Sequence, residues 1–144
     1  VLTVEPELIE RFVRSGQVKL VFRSVLNHDE RSLQASEAAA CAGEQQRFWD
    51  MRELVFNEQD TIWATSEANL PNLMVQFGQR LANLDQEQYG ACLSERRTRE
   101  SLEQADAEQR QRGIRSQPIF EIGEVRLIGL QSVERLASVI EAAR

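Results

Sequence analysis

Thiol chemistry is the first possibility this sequence raises, because Cys41 and Cys92 are its two cysteines. A redox or metal centre usually brings sulfurs a few residues apart, as in Cys-x-x-Cys, whereas fifty residues lie between these. Each falls within a run that reads as helix, among small or apolar neighbours. Neither opens a helix, where the dipole and free amides would favour a thiolate. Two readings stay open: a structural disulfide joining two helices, worth about 4 kcal/mol in chain entropy, or two buried thiols acting as small hydrophobes. His28, the sole histidine, stands between Asn27 and Asp29 and reads as a polar turn residue rather than a catalytic or metal-binding one. Phe48 and Trp49 at a helix start read as core packing rather than a ligand platform. No metal-ligand constellation, Gly-rich phosphate loop or nucleophile–base–acid grouping is present.

The charge pattern points away from other chemistries. With 17 basic and 23 acidic side chains the net charge is −6, the wrong sign for binding duplex phosphates. Lys19 is the one lysine, so positive charge is almost all guanidinium. Arg96, Arg97, Arg99, Arg110, Arg112 and Arg115 alternate with Glu95, Glu100, Glu103 and Glu108, which reads as a solvated helix face tied by i,i+4 pairs rather than an anion site. No apolar run reaches the roughly 18 residues a membrane span needs. At 144 residues and 42% hydrophobic content, one domain with one core is expected over residues 1–144.

The elements that must position these residues follow from periodicity. Leu2, Leu8, Ile9, Phe12 and Val13 predict a helix over 2–15, with Pro6 near its first turn and Gly16 as its stop. Residues 18–23, VKLVFR, alternate with period two and predict a strand. Helical spacing then governs residues 32–102: an Ala-rich helix over 32–42, a second over 44–57, a third opened by Asn69, Leu70 and Pro71, and a short one capped by Asp85 with Gln88. A polar helix over 98–112 ends at Gly113. Residues 117–122 and 125–130 predict a hairpin around Gly123 and Glu124. A last helix from Ser132 carries Val133, Leu136, Ala137, Ile140 and Ala143 on one stripe.

These elements, with the segments "EPELIERFVRSGQVKLVFR", "ASEAAACAGEQQRFWDMRELVF", "YGACL" and "RGIRSQPIFEIGEVRLIGLQSVERLASVIEAA", resemble the DsbA-like thioredoxin-fold proteins. The resemblance implies an α/β, thioredoxin-like fold over residues 1–30 and 97–144, with residues 31–96 as an inserted helical block. It also implies that Pro118 forms a cis peptide beside the redox site, that Gln117 before it pairs with substrate backbone, and that Trp63, Met51 and Met74 belong to the face of the helical block turned to the redox groove. Family members usually carry a small β-branched or hydroxyl residue where Gln117 stands.

The family's first strand and its Cys-x-x-Cys are missing from these residues; by the resemblance Val1 falls just downstream of them. No catalytic residue is therefore assigned within the chain, which is expected to be inactive alone. The resemblance favours the Cys41–Cys92 disulfide, because the family works in oxidising compartments. It also implies protein or peptide thiol/disulfide substrates, no cofactor, no nucleic acid and an extracytoplasmic location such as the periplasm. A missing central strand would leave a gap between residues 18–23 and the hairpin in one sheet. Self-association of two copies through that gap is the expected outcome; closure of the flanking strands or a partly wet gap are the others. A second functional class is a redox-inactive thioredoxin-like module that binds peptides or acts as a scaffold. A plain helical interaction domain would require the hairpin to be absent.

Overall fold

Helical spacing governs most of the molecule. The computed structural model describes residues 1–143, and its middle is a block of five helices, α2 (Asp29–Gly43), α3 (Phe48–Asn57), α4 (Gln59–Ala64), α5 (Leu70–Gln79) and α6 (Gln86–Ser94). Before them lies α1 (Val4–Leu8), and after them come α7 (Arg99–Gln111), the strands β1 (Ile119–Ile122) and β2 (Val125–Ile128), and α8 (Val133–Ala142). Alanine lets α2 act as the hub of the block: Ala38 and Ala42 are fully buried, and the helix packs against α3, α5, α6 and α7. Met51, Leu70, Met74, Phe77 and Tyr89 fill the space around it as one apolar core.

Local signals set most helix ends. Pro71 sits in the first turn of α5, where its missing N–H costs nothing. The Asp85 carboxylate accepts from the Gln88 N–H at 3.0 Å and caps α6. The return bond of that cap comes from elsewhere, since the Asp85 N–H donates to the Gln45 side chain at 2.7 Å. Helix α3 begins at Phe48 rather than near residue 44, because Gln46 adopts a left-handed φ of 62° and the Arg47 N–H closes back on the Ala42 carbonyl. The first helix is also shorter than its apolar spacing predicts. It passes after Leu8 into a π-helical turn (Ile9–Val13), in which the Arg14 N–H reaches the Ile9 carbonyl.

A smaller core joins the two ends of the chain. Phe12, Ala137 and Ile140 are buried together, with Leu8, Val18 and Ile122 against them, so α1 and α8 pack as neighbours. The N-terminus of α8 is held by Ser132, whose hydroxyl accepts from the Arg135 N–H. Its buried stripe is Val133, Leu136, Ala137, Val139 and Ile140; Ala143 lies exposed instead, just past the helix end.

The sheet departs most from expectation. β1 and β2 pair antiparallel with Ile119 opposite Ile128 and Ile122 opposite Val125, and Gly123 supplies the positive φ of 57° at the first turn position. Gly129, at φ 83°, ends β2 two residues short of the expected strand. The strand expected over residues 18–23 does not form, and the hairpin does not share a sheet with Leu20. Period-two alternation is nonetheless present in the burial: Val18, Leu20 and Phe22 are half-buried while Lys19, Val21 and Arg23 are exposed. An extended run becomes a strand only when a neighbour completes its ladder. Among the described residues, 19–24 enter no backbone–backbone hydrogen bond. Closure of the two flanking segments onto each other is thereby excluded.

Candidate functional site

The two cysteines are already joined. Cys41 of α2 and Cys92 of α6 form a disulfide with their Cα atoms 5.8 Å apart, and both side chains are buried. Tyr89 seats α6 closely on α5: its ring lies on Gly78, where a Cβ would come within 2.3 Å, and its hydroxyl donates to the Met74 carbonyl at 2.9 Å. Burial pushes the Tyr89 phenol well above its ordinary pKa. Among the described residues no thiol is free, so none can attack a disulfide as a thiolate.

A corner built around proline forms the second feature. Just past the end of α7, Gly113 with a φ of 78° turns the chain toward buried Ile114, and the Gln117–Pro118 peptide bond is cis. The Pro118 carbonyl accepts from the Gly129 N–H at 2.9 Å, which ties the corner to the end of β2. Gln117 is exposed and Pro118 half-buried.

The loop after residues 18–23 is fastened to the same corner. Asp106 of α7 accepts from the Leu26 N–H at 2.8 Å, and Arg110 holds Asp106 at 2.6 Å while also donating to the Leu26 carbonyl. Partial burial pushes the Asp106 carboxyl up, but the Arg110 guanidinium and the Leu26 amide outweigh it and hold the group below its ordinary range. Asn27 then donates its side-chain amide to the Arg115 carbonyl at 3.3 Å, two residues before Gln117. His28, next along, meets the Trp63 ring edge to face at 5.0 Å. Arg31 lies over the same indole at 5.6 Å and is itself pinned by the Thr65 carbonyl and Glu67. His28 is thus a packing partner of an exposed aromatic ring, beyond the polar turn residue its sequence setting suggests.

The methionines require a correction. Met51 and Met74 are both buried in the helical core, Met74 at the floor of a small pocket between α2, α5 and α6, whereas Trp63 is 54% exposed. Apolar periodicity cannot separate a groove-lining methionine from a core one, since both occupy the same helix stripe. Phe48 does pack on the core, while Trp49 is half exposed over Arg52.

Arg52 is a residue that the sequence did not single out. Its guanidinium is bidentate to Glu5 at 2.6 and 2.9 Å and lies 4.1 Å from the Phe22 ring and 5.1 Å from Phe56. One buried charge therefore joins α1, the extended run and α3, fixing the first helix against the helical block. The arginine-rich stretch likewise works over longer range than i,i+4 spacing implies. Arg96 bridges Glu30 and Glu37 of α2, and Arg97 reaches Glu44, although Arg99–Glu103 is an i,i+4 pair.

Among the described residues no group of three or more His, Cys, Asp or Glu side chains could hold a metal ion, and no helix is long and apolar enough to cross a membrane. The helical block thus lies between a first helix and a proline-entered hairpin backed by a last helix. A family model described as Thioredoxin matches residues 2–142, and the chain belongs to that family. No curated protein and no solved structure matches it.

Proposed function

We propose that the chain is the body of a DsbA-like thiol:disulfide oxidoreductase that acts on secreted proteins in an extracytoplasmic compartment. The family match over residues 2–142 carries this reading. The element order, with Pro118 at the entry to a hairpin that a last helix follows, is consistent with it. Residues 1–30 and 97–143 make up the thioredoxin part and residues 31–96 the inserted helical block, whose disulfide is structural.

The reaction needs a Cys-x-x-Cys pair that these 144 residues do not contain. In the oxidising direction a substrate thiolate attacks the pair's disulfide, giving a mixed disulfide and one free enzyme thiolate. A second substrate thiolate then displaces the remaining enzyme sulfur, so the substrate gains the disulfide and the enzyme keeps both electrons as a dithiol. Gln117 offers backbone groups to an extended substrate segment, adding it as a strand beside Pro118. No cofactor takes part in this scheme.

Trapping tests the reading. In the form carrying the residues encoded upstream of Val1, changing the second cysteine of the pair to Ser is expected to accumulate a mixed disulfide with a disulfide-bonded peptide, because the remaining thiolate attacks that disulfide, releases one peptide thiolate and has no second thiol to resolve the product, which is visible by mass spectrometry. An upstream sequence without such a pair would overturn it in favour of a redox-inactive peptide-binding module.

A further inference from the structure

Gly90 is the fifth of the nine residues of α6, and glycine weakens a helix interior relative to almost any other residue. Packing accounts for two other helical glycines, since a Cβ would strike the Tyr89 ring at Gly78 and crowd Phe48 at Gly43. At Gly90 a Cβ would meet nothing within 4 Å. The residue instead lines a cavity of about 340 Å³ between α2, α5 and α6, at the small end of the roughly 300–1,000 Å³ of ligand pockets. Met74 is its floor, and Pro71, Val75 and Leu93 add further apolar lining.

Glu37 of α2 lines the same cavity and is 3% exposed. Among the described residues its two carboxylate oxygens accept one hydrogen bond each, both from Arg96. A carboxylate offers about four acceptor positions, so about two stay open on a buried charge. Arg96 does not neutralise the cluster: it is shared between Glu30 and Glu37, while Arg99 beside Glu30 also pairs with Glu103, so three carboxylates face two guanidinium groups. An apolar hollow with a surplus carboxylate in its wall selects a cation that carries its own apolar body. An anion would be repelled by Glu37, and a bare hydrated cation would lose water to methionine and leucine. We propose that this cavity binds a small ammonium compound with an apolar body, its ammonium donating to Glu37 and its body lying on Met74, Val75 and Leu93 in the space that Gly90 leaves open. The site lies within the helical block and is independent of the exchange reaction.

The test uses the chain with methyl-labelled methionine, which gives one resonance each for Met51 and Met74, the former assigned through the volume-conserving Met51→Leu. The probe is phenethylamine at neutral pH, with phenethyl alcohol and phenylpropionate as its neutral and anionic counterparts. The expected result is a saturable shift of the Met74 methyl with Met51 unmoved. Affinity for the alcohol is about fivefold weaker, the loss of one charge-assisted hydrogen bond, and the propionate gives no shift. Gly90→Leu fills the hollow and should abolish the shift while leaving Tm unchanged or higher, because leucine is the better helix former. Glu37→Gln keeps the shape and should bring amine and alcohol to equal affinity. An unmoved Met74 resonance at millimolar amine, equal affinities of amine and alcohol in the unaltered chain, or an undiminished shift in folded Gly90→Leu overturns the proposal. Methionine methyls that shift together report general association and overturn it as well. The comparison of amine with alcohol needs no variant, so it decides even where a substituted chain does not fold.

Discussion

Reducing the Cys41–Cys92 bond is the perturbation whose size follows most directly from the fold. The bond joins residues 51 apart in sequence, so opening it returns the corresponding loop-closure entropy to the unfolded chain. For a loop of that length the chain-entropy relation gives about 4 kcal/mol at 25 °C. At roughly 2.1 cal/mol/K of unfolding entropy per residue, the whole chain has about 0.3 kcal/mol/K, and the loss corresponds to a Tm lower by about 13 °C. Both sulfurs are buried between α2 and α6, so the native contacts survive reduction and the effect acts mainly on the unfolded state. Urea unfolding with and without reductant is the assay. The midpoint is expected to fall and the m-value to rise, because a chain without the cross-link exposes more surface when unfolded. A loss under about 1 kcal/mol, or two thiols titrating in the untreated native protein, would refute the reasoning.

Three further outcomes are expected. Glu5→Gln leaves the buried Arg52 guanidinium without its carboxylate and should lower stability by about 3 kcal/mol, while Arg52→Met, which keeps the apolar stem, costs less; urea melts showing both changes below 1 kcal/mol would contradict the cage. Gly78→Ala directs a methyl group into the buried Tyr89 ring and should destabilise by about 1–3 kcal/mol despite alanine's better helix propensity, whereas a stabilised Gly78→Ala protein would show that the ring can move aside. The Glu30 carboxyl is held below its ordinary 4.5 by hydrogen bonds from Arg96, with Arg99 adding to the effect. A lowered folded-state pKa gives stability that is complete above the unfolded value and is lost as pH falls through the folded one. The urea midpoint of the native protein should therefore decline below about pH 4.5 more steeply than that of Arg96→Gln; parallel profiles would remove this pair from the acid response.

Helices and caps were the legible part of the sequence, because their signals are local. Asp85, Pro71, Gly113 and Ser132 act where their types place them, and the hairpin around Gly123 follows from alternation on either side of a Gly-X turn. Residues 18–23 depart from the expected strand for a physical reason: alternation reports which side chains face inward, but a ladder needs a second backbone that the sequence pattern does not supply. Pro118 enters the reading only through the family resemblance, whereas the contacts of Arg52 are invisible in the sequence, since Glu5, Phe22 and Phe56 are brought to it only by tertiary packing. The charge pattern places Arg112 and Arg115 on a helix, but both lie past the end of α7, where Arg112 pairs with Glu121 across the hairpin.

Insulin reduction by two lengths of the protein tests the proposed function most directly: a thioredoxin-family body whose own cysteines are joined in a buried disulfide and which exchanges disulfides only together with a Cys-x-x-Cys pair outside these 144 residues. The 144-residue chain is expected to leave insulin in solution at the rate of dithiothreitol alone, and the upstream-extended form to precipitate the B chain faster. Turnover by the 144-residue chain itself, or none by the longer form, would contradict it.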